Sequence, residues 1–405
     1  MKKKFILKLV EPEMLGFSIS QKVNNNSIIN DENLKILTEY KNKIDTDIDN
    51  KKWDNSKKLT NKYELIHICS KNQSYNNISM YNPVSRSYYK LWEILHLIKN
   101  ELNINHNIKV CNIAEGPGGF MECVINFRKQ YYQADDKYYG ITLNSDCKDI
   151  PKWKKLDIFK NCNISYGVDG TGNIYNEKNI IHFINEVGQG TSEIVTADGG
   201  FDFSTDFNKQ EQMIYRLILC EIVTAFGVQK QGGTFICKFF DLYTLPSIKL
   251  VYLLACHYEY VYIIKPSMSR PANSEKYLVC VNFKGINKEY MNKLLNIIRY
   301  LYIYTEENTP IIDIFDDIDS NFVELIRKYN NYISKKQIKS LLQTFNVINN
   351  KYNYTMLKKN QLYYGWKWCI DYDITVNTDF HLFKKYKCNF DQNKNLCSNM
   401  KERLQ

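Results

Sequence analysis

The stretch CNIAEGPGGFMECVI, residues 111–125, crowds three glycines into four positions of a chain that has only 17 in 405 residues. An apolar run ends at Ala114; Glu115, Gly116, Pro117, Gly118 and Gly119 follow, and Phe120 opens a helix-like pattern. Glycines so placed let a partner approach the backbone where a side chain would stand in the way. Free backbone amides and the positive end of the following helix then face that partner. The spacing is not G-x-G-x-x-G, and G-x-x-x-x-G-K-[ST] is absent, which disfavours a dinucleotide or an ATP phosphate. Glu115 at the strand end suits a cationic or amine-bearing ligand. S-adenosylmethionine has both a sulfonium and an amino group, so the turn points to methyl-transfer chemistry, against the plainer reading of a structural glycine turn.

The elements around the turn alternate. IKVCNIA reads as a buried strand, GGFMECVINFRKQ as a helix and YYGITL as a strand. After the loop YGVDGTGNIYN come the helix EKNIIHFINEVG, the strand SEIVTADGG and the long helix NKQEQMIYRLILCEIVTAFGVQ. GGTFICKFF is a strand, LPSIKLVYLLACHY a helix, and EYVYIIKP and KYLVCVNF are closing strands. Strands alternating with helices predict an α/β fold with a Rossmann-like, doubly wound sheet. In such sheets ligands sit outside the carboxyl ends of the strands, where every unusual loop noted here falls.

Residues 81–287 are read as this domain. SRSYYKLWEILHLIKNEL leads into it as a helix, with Ser85 as its expected cap. Residues 1–80 form a helical N-terminal extension, with a strand-like start, a loop at VNNNSIIN and helices in DENLKILTEYKNKID and SKKLTNKYELIHI. Residues 288–405 form a helical C-terminal accessory region.

Composition sets the limits. The net charge of +10 is compatible with a polyanionic partner but does not establish one. The excess of Asn, Ile, Lys and Tyr is that of A+T-rich coding, as in a large DNA virus replicating in host cytoplasm or an A+T-rich protist. The 31 tyrosines are therefore not read as stacking surfaces for RNA. The 12 cysteines contain no C-x-x-C pair, and Cys388, Cys397 and His381 lack zinc spacing, so no metal site is expected. Buried free thiols in a reducing compartment fit better. The apolar run of MKKKFILKLVEPEM is broken by Lys8 and Glu11, unlike a signal peptide, and no stretch approaches a membrane span. A soluble intracellular protein is expected, cytoplasmic if viral.

Five segments in order, SRSYYKLWEI, AEGPGGF, TADGGFD, GGTFICKFFDLYT and KPSMSRPANSEKYLVC, resemble the FtsJ-like family of RNA 2′-O-methyltransferases, and within it the mRNA cap-methylating branch. The resemblance runs from Ser85 to Val281. It implies a Lys-Asp-Lys-Glu tetrad at Lys90, Asp198, Lys238 and Glu275. It implies S-adenosylmethionine held by Ser85, Gly116, Pro117, Gly118, Gly119, Phe120, Asp169 and Asp198. The family's ribose-binding acid after the second strand is missing, since YGITL offers Thr142 and no carboxylate. Lys265 and Arg270 are expected phosphate contacts.

Lys238 lies in the apolar TFICKFF, where a lysine is costly unless used. Burial and Lys90 are expected to lower its pKa so that it acts as the base, with Asp198 and Glu275 holding the ammonium groups. The sulfonium is already an activated leaving group, so no metal is chemically required. The implied partner is the capped 5′ end of mRNA, methylated on the first or second transcribed nucleotide, together with other capping or transcription proteins and no membrane. Ribosomal or transfer RNA methylation, and a non-catalytic RNA-binding subunit of a capping complex, are the alternatives.

Overall fold

A computed structural model describes residues 4–7, 15–17, 32–68, 77–102, 104–132, 135–147, 150–154, 156–200, 210–305 and 313–388. The expected loop at VNNNSIIN and Cys397 lie outside these residues. Eight strands form one sheet: β1 (Lys4–Leu7), β2 (Lys109–Ile113), β3 (Lys137–Ile141), β4 (Cys162–Ser165), β5 (Ser192–Ala197), β6 (Gln229–Phe239), β7 (Tyr258–Ile264) and β8 (Lys276–Phe283). Their order across the sheet is β1-β7-β8-β6-β5-β2-β3-β4. From β4 to β6 every pairing is parallel, whereas β8 inserts antiparallel between β6 and β7, and β1 adds an antiparallel edge to β7.

The near-continuous apolar strands bury both faces, as parallel strands covered by helices must. Period-two alternation sorts them: Cys111 and Ile113 of β2 face one core, Val110 the other. The first core lies under α5 (Glu177–Val187), α6 (Gln210–Val228), α7 (Leu245–His257), α8 (Lys288–Tyr304) and the start of α9 (Ser320–Ile348). The second lies under α3 (Ser87–Leu97), α4 (Gly119–Tyr131) and α10 (Tyr354–Asp371). The helix α3 starts at Ser87; the Ser85 hydroxyl pairs with that of Ser87 and does not cap the helix.

The two terminal regions pack on each other and on the sheet domain. α1 (Glu32–Asp47) and α2 (Asn50–Thr60) meet the far end of α9 through Leu37, Ile44, Trp53, Leu341 and Ile348. On α3, the Trp92 indole donates to the Tyr372 carbonyl at 2.8 Å, and the Trp368 indole donates to Glu93 at 2.9 Å. Beyond α10, Val376 bridges to Ser79, and the short α11 (His381–Lys385) follows. Among the described residues no helix is long and apolar enough to cross a membrane.

Trp368 is 2 % exposed and packs edge-on against Tyr89, 5.7 Å between ring centres. Trp368→Ala leaves a cavity beside α3 and removes a donor from Glu93, so unfolding free energy should fall by about 3–5 kcal/mol in urea titration.

Candidate active site

Sheet register does most of the assembly. Ala197 at the end of β5 pairs with Cys237, so Asp198 comes beside Lys238. Lys238 pairs across the antiparallel ladder with Tyr277, which places Glu275, just before β8, near the same strand ends. Lys90 reaches in from α3. The four residues form two ion pairs: Lys90 Nζ donates to Glu275 Oε2 at 2.8 Å, and Lys238 Nζ lies 3.2 Å from Asp198 Oδ1. Lys238 also donates to the Asp198 carbonyl at 2.7 Å, and the Tyr277 hydroxyl donates to Asp198 Oδ1 at 3.0 Å. All four charged side chains are only 11–16 % exposed.

The electrostatics reverse one expectation. Burial is the largest influence on Lys238 and works to lower its pKa, but the carboxyl groups of Asp198, Glu275 and Glu221 outweigh it, and the net shift is upward. Lys238 is therefore an ammonium in the free site at neutral pH. Burial likewise works to raise Glu275, but Lys90 and Lys238 bring its carboxyl down from 4.5 to about 2.

The glycines of the turn make room chiefly for the chain's own segments. A Cβ on Gly116 would sit 2.1 Å from the Pro151 carbonyl oxygen, and one on Gly119 would lie 2.1 Å from the Ser85 hydroxyl oxygen. Gly118 has φ +105° and faces the Phe159 and Trp153 rings. Thr142, standing where an acid was missed, accepts from the Gly116 amide at 3.1 Å. The Pro117 carbonyl accepts from Lys154 N at 3.4 Å.

One oxygen of Glu115, Oε1, is engaged at the helix start. It accepts from the Phe120 and Met121 amides, and burial first, then Asp198, pushes the carboxyl's pKa well up. The Phe120 side chain is fully buried in the second core, so only its backbone belongs to the turn.

Three other predicted residues are engaged within the protein. Asp169 accepts from Thr171, Asn176 and Asn179 and braces its own loop. Lys265 donates to the carbonyls of Asn273 at 2.6 Å and Glu275 at 2.7 Å. Arg270 makes a two-pronged pair with Glu64, at 3.0 and 2.7 Å. They were expected at a ligand or a phosphate; within the protein itself each one also fixes a loop.

Sequence reading missed Tyr277, Glu64 and Glu221. For Glu221 a signal was present, a carboxylate inside the apolar LILCEIVTAF. Among the described residues no group of three or more His, Cys, Asp or Glu side chains is placed to hold a metal ion.

Residues 83–283 match the FtsJ-like methyltransferase family. The chain is similar to the cap-specific mRNA (nucleoside-2′-O-)-methyltransferase 1 of Dictyostelium discoideum, 33% identical over 246 residues, which are 56% of this chain and 32% of that protein. Proteins of the same name from Mus musculus and Homo sapiens are 38% identical over 248 residues and 35% over 250; each match covers 57% of this chain and 28% of the relative. The matched stretch thus spans roughly three tenths of the length of these relatives.

The lowered pKa of Glu275 predicts an acid dependence of stability. A carboxyl held below its unfolded value contributes stability fully present above 4.5 and lost as pH falls towards about 2. The contribution is roughly 3 kcal/mol. Urea titrations between about pH 5 and pH 2.5 should show this loss in the natural protein, and Glu275→Gln should lack that part of it.

Proposed function

Residues 83–283 form an FtsJ-like methyltransferase domain, and from that premise we propose that the protein is an S-adenosylmethionine-dependent RNA ribose 2′-O-methyltransferase acting at the capped 5′ end of mRNA. The observation that carries this reading is the double pairing of Lys90 with Glu275 and of Lys238 with Asp198 at the strand ends. The names of the relatives support the choice of capped mRNA, and other capping or transcription proteins are the proposed partners.

The residues present fit the cofactor. Asp198 offers an anionic group at the end of β5 for a cationic ligand, and Ser85 with Gly116, Pro117, Gly118 and Gly119 surrounds the amino end of α4. The buried indole N–H of Trp153, beside Gly118, has no hydrogen-bond partner among the described residues. When bound, S-adenosylmethionine supplies a methyl group already activated by its sulfonium.

The chain's own part is to present the ribose oxygen. The Lys238 ammonium, held by Asp198, orients the 2′-oxygen by donating to it. Taking the hydroxyl proton requires the neutral amine. Lys90 and Glu275 pair beside Lys238. Lys265 and Arg270 serve by bracing the loop that carries Glu275.

Labelled-methyl transfer to capped and uncapped RNA, with the modified nucleotide mapped, tests the reading. Capped RNA should be the better substrate, and the modification should map to a 5′-terminal transcribed nucleotide. Equal transfer to uncapped RNA would favour ribosomal or transfer RNA instead. Because its carboxylate neighbours raise Lys238, the rate should climb with pH on the alkaline side of neutrality. Lys238→Ala should lose about 100-fold or more. Lys238→Arg should fail as well, since a guanidinium does not give up its proton; an arginine enzyme with most of its turnover would sink the base assignment.

Gly118→Val would place a branched side chain at φ +105°, where its Cβ comes within 2.9 Å of Phe159 and 3.1 Å of Trp153. Calorimetry should show weakened cofactor affinity in this variant, and unchanged affinity would displace the site.

A further inference from the structure

Glu221 lies on α6, 1 % exposed, on the side of the helix that meets the ends of β5 and β6. Its Oε1 accepts from the Gly199 amide at 3.0 Å, and Gly199 directly follows Asp198. Its Oε2 receives the Cys237 thiol at 3.5 Å, and Cys237 directly precedes Lys238. One carboxyl group therefore touches the chain neighbour of each member of the Lys238–Asp198 pair. It also explains Gly199, whose absent Cβ would lie 2.2 Å from Glu221 Oε1.

A buried carboxyl inside an apolar helix is expensive unless its oxygens are used. Here both are used, and both on the two strand ends that meet at the site. We infer that Glu221 is a positioning residue for methyl transfer, clamping the end of β5 to the end of β6 so that Asp198 and Lys238 keep their register. This inference rests on the reading of the site as a methyl-transfer centre.

The charged and titratable groups facing Glu221 are Lys238 and Cys237 from β6 and Asp198 from the end of β5. Burial pushes the Glu221 carboxyl up to about 8 against the pull of Lys238. At neutral pH it is mostly the neutral acid, which still accepts at Oε1. Its role is thus one of hydrogen bonding and shape, and only above about pH 8 does it add a negative charge beneath the pair.

Two substitutions separate these contributions. Glu221→Gln keeps an oxygen acceptor for the Gly199 amide, whereas Glu221→Met fills similar space and offers none. With capped RNA and saturating cofactor, Glu221→Met should lose about 10- to 100-fold in the methyl-transfer rate constant, the range expected when a reacting group is displaced by a fraction of an ångström to an ångström. Its cofactor Kd should stay within about threefold, and Glu221→Gln should stay within about threefold of the natural rate. Hydrogen exchange over residues 197–200, followed by mass spectrometry, should accelerate in Glu221→Met and not in Glu221→Gln.

Full turnover in Glu221→Met, or equal losses in both variants, overturns the inference. So does unchanged exchange in Glu221→Met. A natural protein that methylates no RNA while the exchange contrast persists overturns the functional reading instead and leaves the clamp in place. Glu221→Met that fails to fold while Glu221→Gln loses its rate also overturns the inference, because the glutamine keeps the acceptor on which it depends.

Discussion

An ammonium group held nearly out of water at the end of β6 is the constraint on which the site depends. A lysine there is tolerated only because carboxyl groups face it: Asp198 within 3.2 Å, Glu275 close enough to act through its charge, and Glu221, which adds its charge above about pH 8. Each of those carboxyls comes from a different element. Asp198 follows β5, Glu275 precedes β8 and Glu221 stands on α6. The sheet order that puts β6 between β5 and β8 is therefore also the order that compensates the charge.

Lys90 is held by different means, since it stands on a helix and not on the sheet. α3 is pinned along its length by contacts from distant parts of the chain. Arg86, just before it, donates to the carbonyls of Tyr63, Glu64, His67 and Met268. Glu93, on its buried side, accepts from the Ser267 amide and hydroxyl and from the Trp368 indole. The Glu64–Arg270 pair then ties the same N-terminal segment to the loop that carries Glu275. The two ends of the Lys90–Glu275 pair thus share one scaffold, made partly from residues on either side of the sheet domain.

Local pattern carried the sheet domain well. Runs such as IKVCNIA and KYLVCVNF are buried on both faces, and their alternation with helical segments follows from chain-local chemistry. The glycine turn was also visible, but not what it accommodates. Pro151, Trp153 and Phe159 approach it from 35 to 41 residues further along, and no local rule announces that approach. The capping role of Glu115 was not visible for a related reason: the amides its Oε1 accepts from are five and six residues ahead, at the helix start. The sign of the Lys238 shift depended on how closely Asp198, Glu275 and Glu221 gather around it, which only the tertiary fold defines.

The same fold sets how the cleft adjusts its charge. The pairs Lys90–Glu275 and Lys238–Asp198 cancel formally, and two of the neighbouring groups titrate near neutrality. Burial, aided by Lys276 and Lys90, brings Lys265 down to about 7, while burial takes Glu221 up to about 8. Lys265 keeps its hydrogen bonds to the Asn273 and Glu275 carbonyls only through N–H donors, which the neutral amine retains. Glu221 keeps its acceptor for Gly199 in either state. Losing a proton from one of them thus changes the charge of the cleft by one without breaking the bonds that hold its walls. Their titration is therefore placed where it need not move the backbone.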